Sequence, residues 1–257
     1  VFKKMLSTFG VGGPSIDTQV QNPSVVPGGT VTGQIVLKGG SVNSSIERIS
    51  LALVTRVEVE SGDHEYLSNL EFGRIIVTGP FQLAAQSNHA MPFQFPIPVE
   101  CPLTTVYGQH LHGMTMGLRT ELAIASAIDK GDLDALSVSP MPAQQMVLDA
   151  FANLGFRFKR ADCERGRIRG VDQTLPFYQE IEFYPGPQYA SAINEVELTF
   201  VAEPHELNVI LEVDKRRGGS DVFGKFTYDY RTIGNTDITG QIDNWLRTSA
   251  RPKGFFF

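Results

Sequence analysis

The sequence predicts an all-β protein: two antiparallel β-sandwich domains with a few short helices. Three observations point there. First, apolar residues recur at every second position in segment after segment. In Leu207–Val213 (LNVILEV) the side chains of Leu207, Val209, Leu211 and Val213 fall on one face, and Ile49–Val59 repeats the pattern. Side chains alternate faces along a strand, so such segments bury one side and wet the other. Second, Gly- and Pro-rich turns separate these segments at hairpin spacing. Third, a helical period breaks the strand pattern at one place, between Pro140 and Gly155. That break divides the chain into an N-terminal domain, residues 1–140, and a C-terminal domain, residues 141–257, carrying a terminal amphipathic helix.

In chain order, Phe2, Met5, Leu6 and Phe9 mark one face of a short helix, stopped by Gly10, Gly12, Gly13 and Pro14. Strands follow at Ile16–Val20, Thr30–Leu37 and Ile46–Glu60, with turns at Pro27-Gly28-Gly29 and Gly39-Gly40. Residues 64–79 are less regular and read as a strand ending at Gly79-Pro80. Phe93, Phe95 and Ile97 alternate, but Pro92, Pro96 and Pro98 demote the segment to an edge, because proline cannot donate to a ladder. Leu118–Ile124 is the last strand expected in this half. Met146, Val147, Ala150, Phe151 and Leu154 then repeat at helical spacing, with Ser139 as cap, Pro140 in the first turn and Gly155 as the stop. The second set of strands runs through Phe156–Phe158, Phe177–Phe183, Val196–Phe200, Leu207–Val213 and Phe226–Tyr230. A closing helix spans Ile238–Ser249, and Thr236 or Asp237 caps it.

Candidate chemistry is sparse. Gly219–Lys225 matches the spacing of a phosphate-binding loop, but Phe226 stands where the magnesium-binding hydroxyl belongs and the segment continues as a strand. His110 and His112 would share a strand face, yet a zinc site needs three or four ligands and no third is evident. Asp129, Asp132 and Asp134 lack the glycine and distal glutamate of a calcium loop, and read as a solvated turn. Arg157, Lys159, Arg160, Arg165, Arg167 and Arg169 form a basic stretch that reads as the wet side of a strand, with an anionic-partner patch as the alternative. No catalytic set, metal or cofactor is therefore expected.

A formal charge of −6 argues against a nucleic-acid binder, which needs a basic excess. Cys101 and Cys163 lie in different halves and read as reduced thiols, which points to a cytoplasmic protein. No apolar run approaches the roughly 18 residues of a membrane helix. The terminal helix is the expected interaction surface. Ile238, Ile242, Trp245 and Leu246 form a narrow apolar stripe that holds the only tryptophan, and Phe255–Phe257 end the chain. Docking of this stripe within the chain is the simpler outcome. Docking on a second copy or on another protein is the functional one.

Three stretches carry a resemblance: GLRTELAIASAIDKGDLDALSVSP at 117–140, LGFRFKRADCE at 154–164 and EVELTFVAEPHELNVILEVDKR at 195–216. In order and spacing, together with FKKML…GVGG and Val26-Pro27-Gly28, they resemble the bacterial sporulation-control (SpoOM) family. The resemblance implies two arrestin-like sandwiches and a non-enzymatic regulator or scaffold acting through protein partners. A peripheral-membrane or small-ligand-binding module is the alternative.

Overall fold

The computed structural model describes residues 12–62, 64–216 and 221–249. The helix expected at Phe2–Phe9 and the Phe255–Phe257 terminus lie outside the described residues. The fold is all-β, and α-helix occurs at only two places among the described residues. Two compact units form. Unit 1 comprises residues up to Val57, Tyr66–Gly108 and Met114–Ser139; unit 2 comprises Glu58–Glu65, Gln109–Gly113 and the chain from Pro140 onward. The break after Ser139 falls beside the expected 140/141 boundary. The two short segments assigned to unit 2 from within the first half are no part of that expectation.

The strands in chain order are β1 (Ser15–Val20), β2 (Ser24–Val25), β3 (Thr30–Lys38), β4 (Ser44–Ser61), β5 (His64–Thr78) and β6 (Phe81–Leu83). They continue with β7 (Asn88–Pro96), β8 (Thr105–Val106), β9 (Gln109–His110), β10 (Met116–Ile124), β11 (Lys130–Ala135) and β12 (Ser137–Val138). In unit 1, β1, β3 and β7 form one antiparallel sheet, and β11, β10 and β4 form the facing one, with β5 and β6 also paired to β4. The period-two pattern is realised directly: Val31, Ile35 and Leu37 of β3 are fully buried, as are Ile49, Leu51 and Leu53 of β4. Their pairing sets Val31 beside Phe95, and Leu53 beside Leu118. The proline-bearing β7 is indeed an edge strand.

The acidic segment after β10 departs from expectation. Asp132 and Asp134 belong to a strand, β11, rather than to a solvated turn. Asp132 is buried, and its Oδ2 accepts the Thr18 backbone N–H at 2.8 Å, while the Thr18 and Thr120 hydroxyls meet at 2.6 Å. These bonds between the two sheets supply what a buried carboxylate requires, and no local sequence rule reports them.

Unit 2 contains α1 (Pro142–Asn153), β13 (Arg157–Arg165), β14 (Phe177–Tyr184), β15 (Ile193–Ala202), β16 (Glu206–Lys215), β17 (Val222–Asp229) and α2 (Ile238–Ser249). The strands β13 to β17 pair antiparallel in chain order. Their apolar face, including Ile181, Leu198, Val209 and Leu211, is buried. Phe151 of α1 packs on Phe183 of β14 with ring centroids 4.8 Å apart, so the helix covers that face. Helix α1 begins two residues later than expected. Pro142 takes the first turn, and the Met141 backbone N–H donates to Gln144 Oε1 at 3.0 Å. Gly155 follows at φ +77°, as a C-terminal stop requires. Cys101 and Cys163 are both buried free thiols.

Candidate functional site: an acidic cavity on unit 2

The opposite face of the unit 2 sheet carries the chemistry. Strand alternation places Glu182, Glu197 and Glu212 there, and the registers set Glu197 directly across from both Glu182 and Glu212. Asp162 of β13 likewise faces Glu180 of β14. Like charges directly opposite each other destabilise a sheet, so this ladder of carboxylates opposes the pairing that creates it.

Its members differ in compensation. Glu182, about 2 % exposed in its side chain, accepts Lys159 Nζ at 2.7 Å and Arg160 Nε at 2.5 Å. Lys159 also pairs with Glu195. The basic stretch noted in the sequence therefore serves in part to neutralise its own sheet. Glu180, Glu197 and Glu212 have no hydrogen bond or cationic partner among the described residues. Burial first, then the neighbouring carboxylates, pushes Glu180 up to about 9 and Glu197 up to about 7; burial and Asp221 raise Glu212.

These three glutamates line a cavity of about 600 Å³, together with Tyr178, Thr199, Ile210 and Phe223. Its wall is the segment after β13, with Arg167, Ile168 and Arg169 lining it. Buried Gln173 holds that wall in place. Its Nε2 donates to Gly166 O at 2.9 Å, Leu175 O at 2.7 Å and Phe177 O at 3.0 Å, and its Oε1 accepts Ile168 N–H at 2.9 Å. Lys225 Nζ donates to Gly170 O at 2.6 Å, pinning the wall to β17. Lys225 of the GxxxxGK look-alike thus sits on a strand.

One prediction follows from the signs of these shifts. A carboxyl whose folded value is raised binds more protons folded than unfolded, so its stabilisation is present at low pH and lost as pH rises. For Glu180 the window runs from the ordinary carboxylate range to about 9, and for Glu197 to about 7. The melting temperature of chelator-treated protein is expected to fall between pH 5.5 and 9. Glu197→Gln should flatten that profile and raise the pH 8 value by about 2–4 °C, equivalent to about 1 kcal/mol. A wild-type profile that rises over this range would contradict the ladder.

The residues expected to matter lie elsewhere. His110 and His112 are both exposed, and the groups of three or more possible metal ligands among the described residues are carboxylates only. Ile238, Ile242 and Leu246 are buried by the chain itself, and Trp245 is half-buried against β17. Sequence reasoning missed Glu180, Glu197 and Glu212, which occupy polar positions of well-predicted strands. The one signal that could have found them is an acid at the outward position of three successive strands.

A family model described as SpoOM protein matches residues 2–217. The sporulation-control protein spo0M of Bacillus subtilis (strain 168) is 34 % identical over 219 residues, covering 85 % of this chain and 82 % of that protein. The crystal structure of Spo0M, sporulation control protein, from Bacillus subtilis superposes with a TM-score of 0.80 at 29 % identity, covering 93 % of this chain and 99 % of that one.

Proposed function

The chain belongs to the SpoOM protein family, and from that premise we propose that it is a non-enzymatic, arrestin-like regulatory scaffold that acts by binding other proteins. The observation that carries the reading is the open sheet. β7 terminates its sheet in unit 1 and β17 terminates the strand order in unit 2. A terminal strand offers unpaired backbone amides and carbonyls to a partner's strand, and side-chain pockets beside it add selectivity. Among the described residues no helix is long and apolar enough to cross a membrane. A part in sporulation control is named for the Bacillus relative and belongs to this proposal only by kinship.

Affinity capture of the full chain from its native host, with lysine cross-linking, tests the reading. A partner protein recovered in stoichiometric amount and cross-linked at Lys38, beside β7, or at Lys225 of β17 is the expected result. Recovery of the chain alone under cross-linking would remove the scaffold role. The cavity on unit 2 favours a second reading, a small-ligand-binding module, because a walled concavity with converging carboxylates is how such sites are built.

A further inference from the structure

We propose that unit 2 binds a divalent cation of the calcium class through Asp162, Glu164 and Glu180, on the sheet face beside the cavity. One oxygen from each of these carboxylates lies within 4.8 Å of the others. Calcium takes oxygen ligands at about 2.3–2.6 Å in flexible geometry, so an ion between the three needs only small side-chain rotations to bring them into reach. The donor set is oxygen only, with no imidazole or thiolate, which favours a hard cation over zinc.

Asp162 supplies the independent sign of a missing partner. The residue is 9 % exposed, and its Oδ1, wholly buried, has no hydrogen-bond partner. Its Oδ2 reaches Arg160 Nη1 at a loose 3.5 Å. Leaving a buried carboxylate oxygen unsatisfied is costly, and native structures rarely do so without water, an ion or a ligand. The register adds to this: Asp162 faces Glu180 across the β13–β14 pair, a juxtaposition that a cation between them would turn from repulsion into chelation.

Unit 1 provides the contrast. There Glu121 is paired with Arg48 at 2.6 Å and Arg74 at 3.3 Å, and Glu71 with Arg119 at 2.7 Å. That acidic group carries its own cations. Glu180 has none, and it is shared with a second carboxylate triplet, Glu180, Glu197 and Glu212, which leads into the cavity. The cavity gives the ion a route in, and room for the water ligands that complete a calcium shell. This inference goes beyond the scaffold reading and the small-ligand reading alike. The cation would bind whether or not a protein partner or a cavity ligand exists.

The test uses chelator-treated full chain titrated with terbium, a luminescent calcium surrogate, and then with calcium in competition. Tyr178 faces Glu164 across the strand pair, close enough to sensitise bound terbium. Saturable luminescence displaced by calcium is expected, with one calcium per chain by equilibrium dialysis and a raised melting temperature in calcium. Asp162→Asn and Glu180→Gln should each weaken binding by about tenfold or more. Tyr178→Phe should dim the signal, and Glu121→Gln on unit 1, outside the site, should change neither the luminescence nor the calcium affinity. Because Glu180→Gln relieves repulsion, its folded state is retained, and circular dichroism checks this. No saturable uptake at millimolar calcium overturns the proposal, as does undiminished affinity in both ligand variants.

Discussion

Trp245→Ala is expected to destabilise the protein by about 3 kcal/mol without changing its association state. The indole lies across β17 at Gly224, where an added Cβ would come within 2.4 Å of the ring, and it meets Phe226 edge-to-face at 6.0 Å. Only glycine lets the ring lie so close to the strand. Along the same stripe Ile242 and Leu246 are fully buried and Ile238 is 5 % exposed. A helix of 12 residues is marginal in isolation, so this docking holds α2 in place. The half-burial of the indole sets the loss at the low end of the 3–5 kcal/mol range for large aromatic truncations. Urea denaturation monitored by circular dichroism gives the loss, and light scattering gives the association state. Unchanged unfolding with lost self-association would instead assign the helix to an interface between copies.

Phe151→Ala should cost more, about 4 kcal/mol. Phe151 is fully buried, and its ring centroid lies 4.9 Å from that of Phe156 and 4.8 Å from that of Phe183. Phe156 stacks in turn on Tyr189 at 5.5 Å. Truncation leaves a cavity that three rings on separate elements cannot collapse to fill, because each is fixed by its own strand or turn. Tight aromatic pairs also contribute beyond their buried area. Asn153→Ala, one exposed residue near the end of the same helix, serves as the control and should stay within about 0.5 kcal/mol of wild type. If the two variants unfold at the same urea concentration, α1 does not anchor the unit 2 core.

The strands that read most clearly in the sequence are those with one dry face. β3 and β16 extend one or two residues past their predicted ends, because alternation is a local property of the chain and survives without knowledge of the partner strand. The terminal helix matches its predicted span for the same reason, at a period of 3.6. β11 was not legible. Its residues KGDLDA look like a turn until Asp132 finds the backbone of Thr18, 114 residues away. The acidic site was hidden by a related effect. Glu180, Glu197 and Glu212 stand at the positions that alternation assigns to water, and period alone says only that they are not in the core.

What the sequence by itself determined is therefore the all-β class, the faces of the long strands, the two helices described and the family. All of these rest on periodicity or on the order of motifs along the chain. Only the tertiary structure decided what the polar faces became. Strand register set carboxylates opposite one another, and Gln173 drew the segment after β13 over them as a wall. The indole of Trp245, exposed or buried as far as its spacing could tell, settled on a glycine of β17. Register and loop closure depend on contacts between residues far apart in the chain, and these carry no local periodic signature.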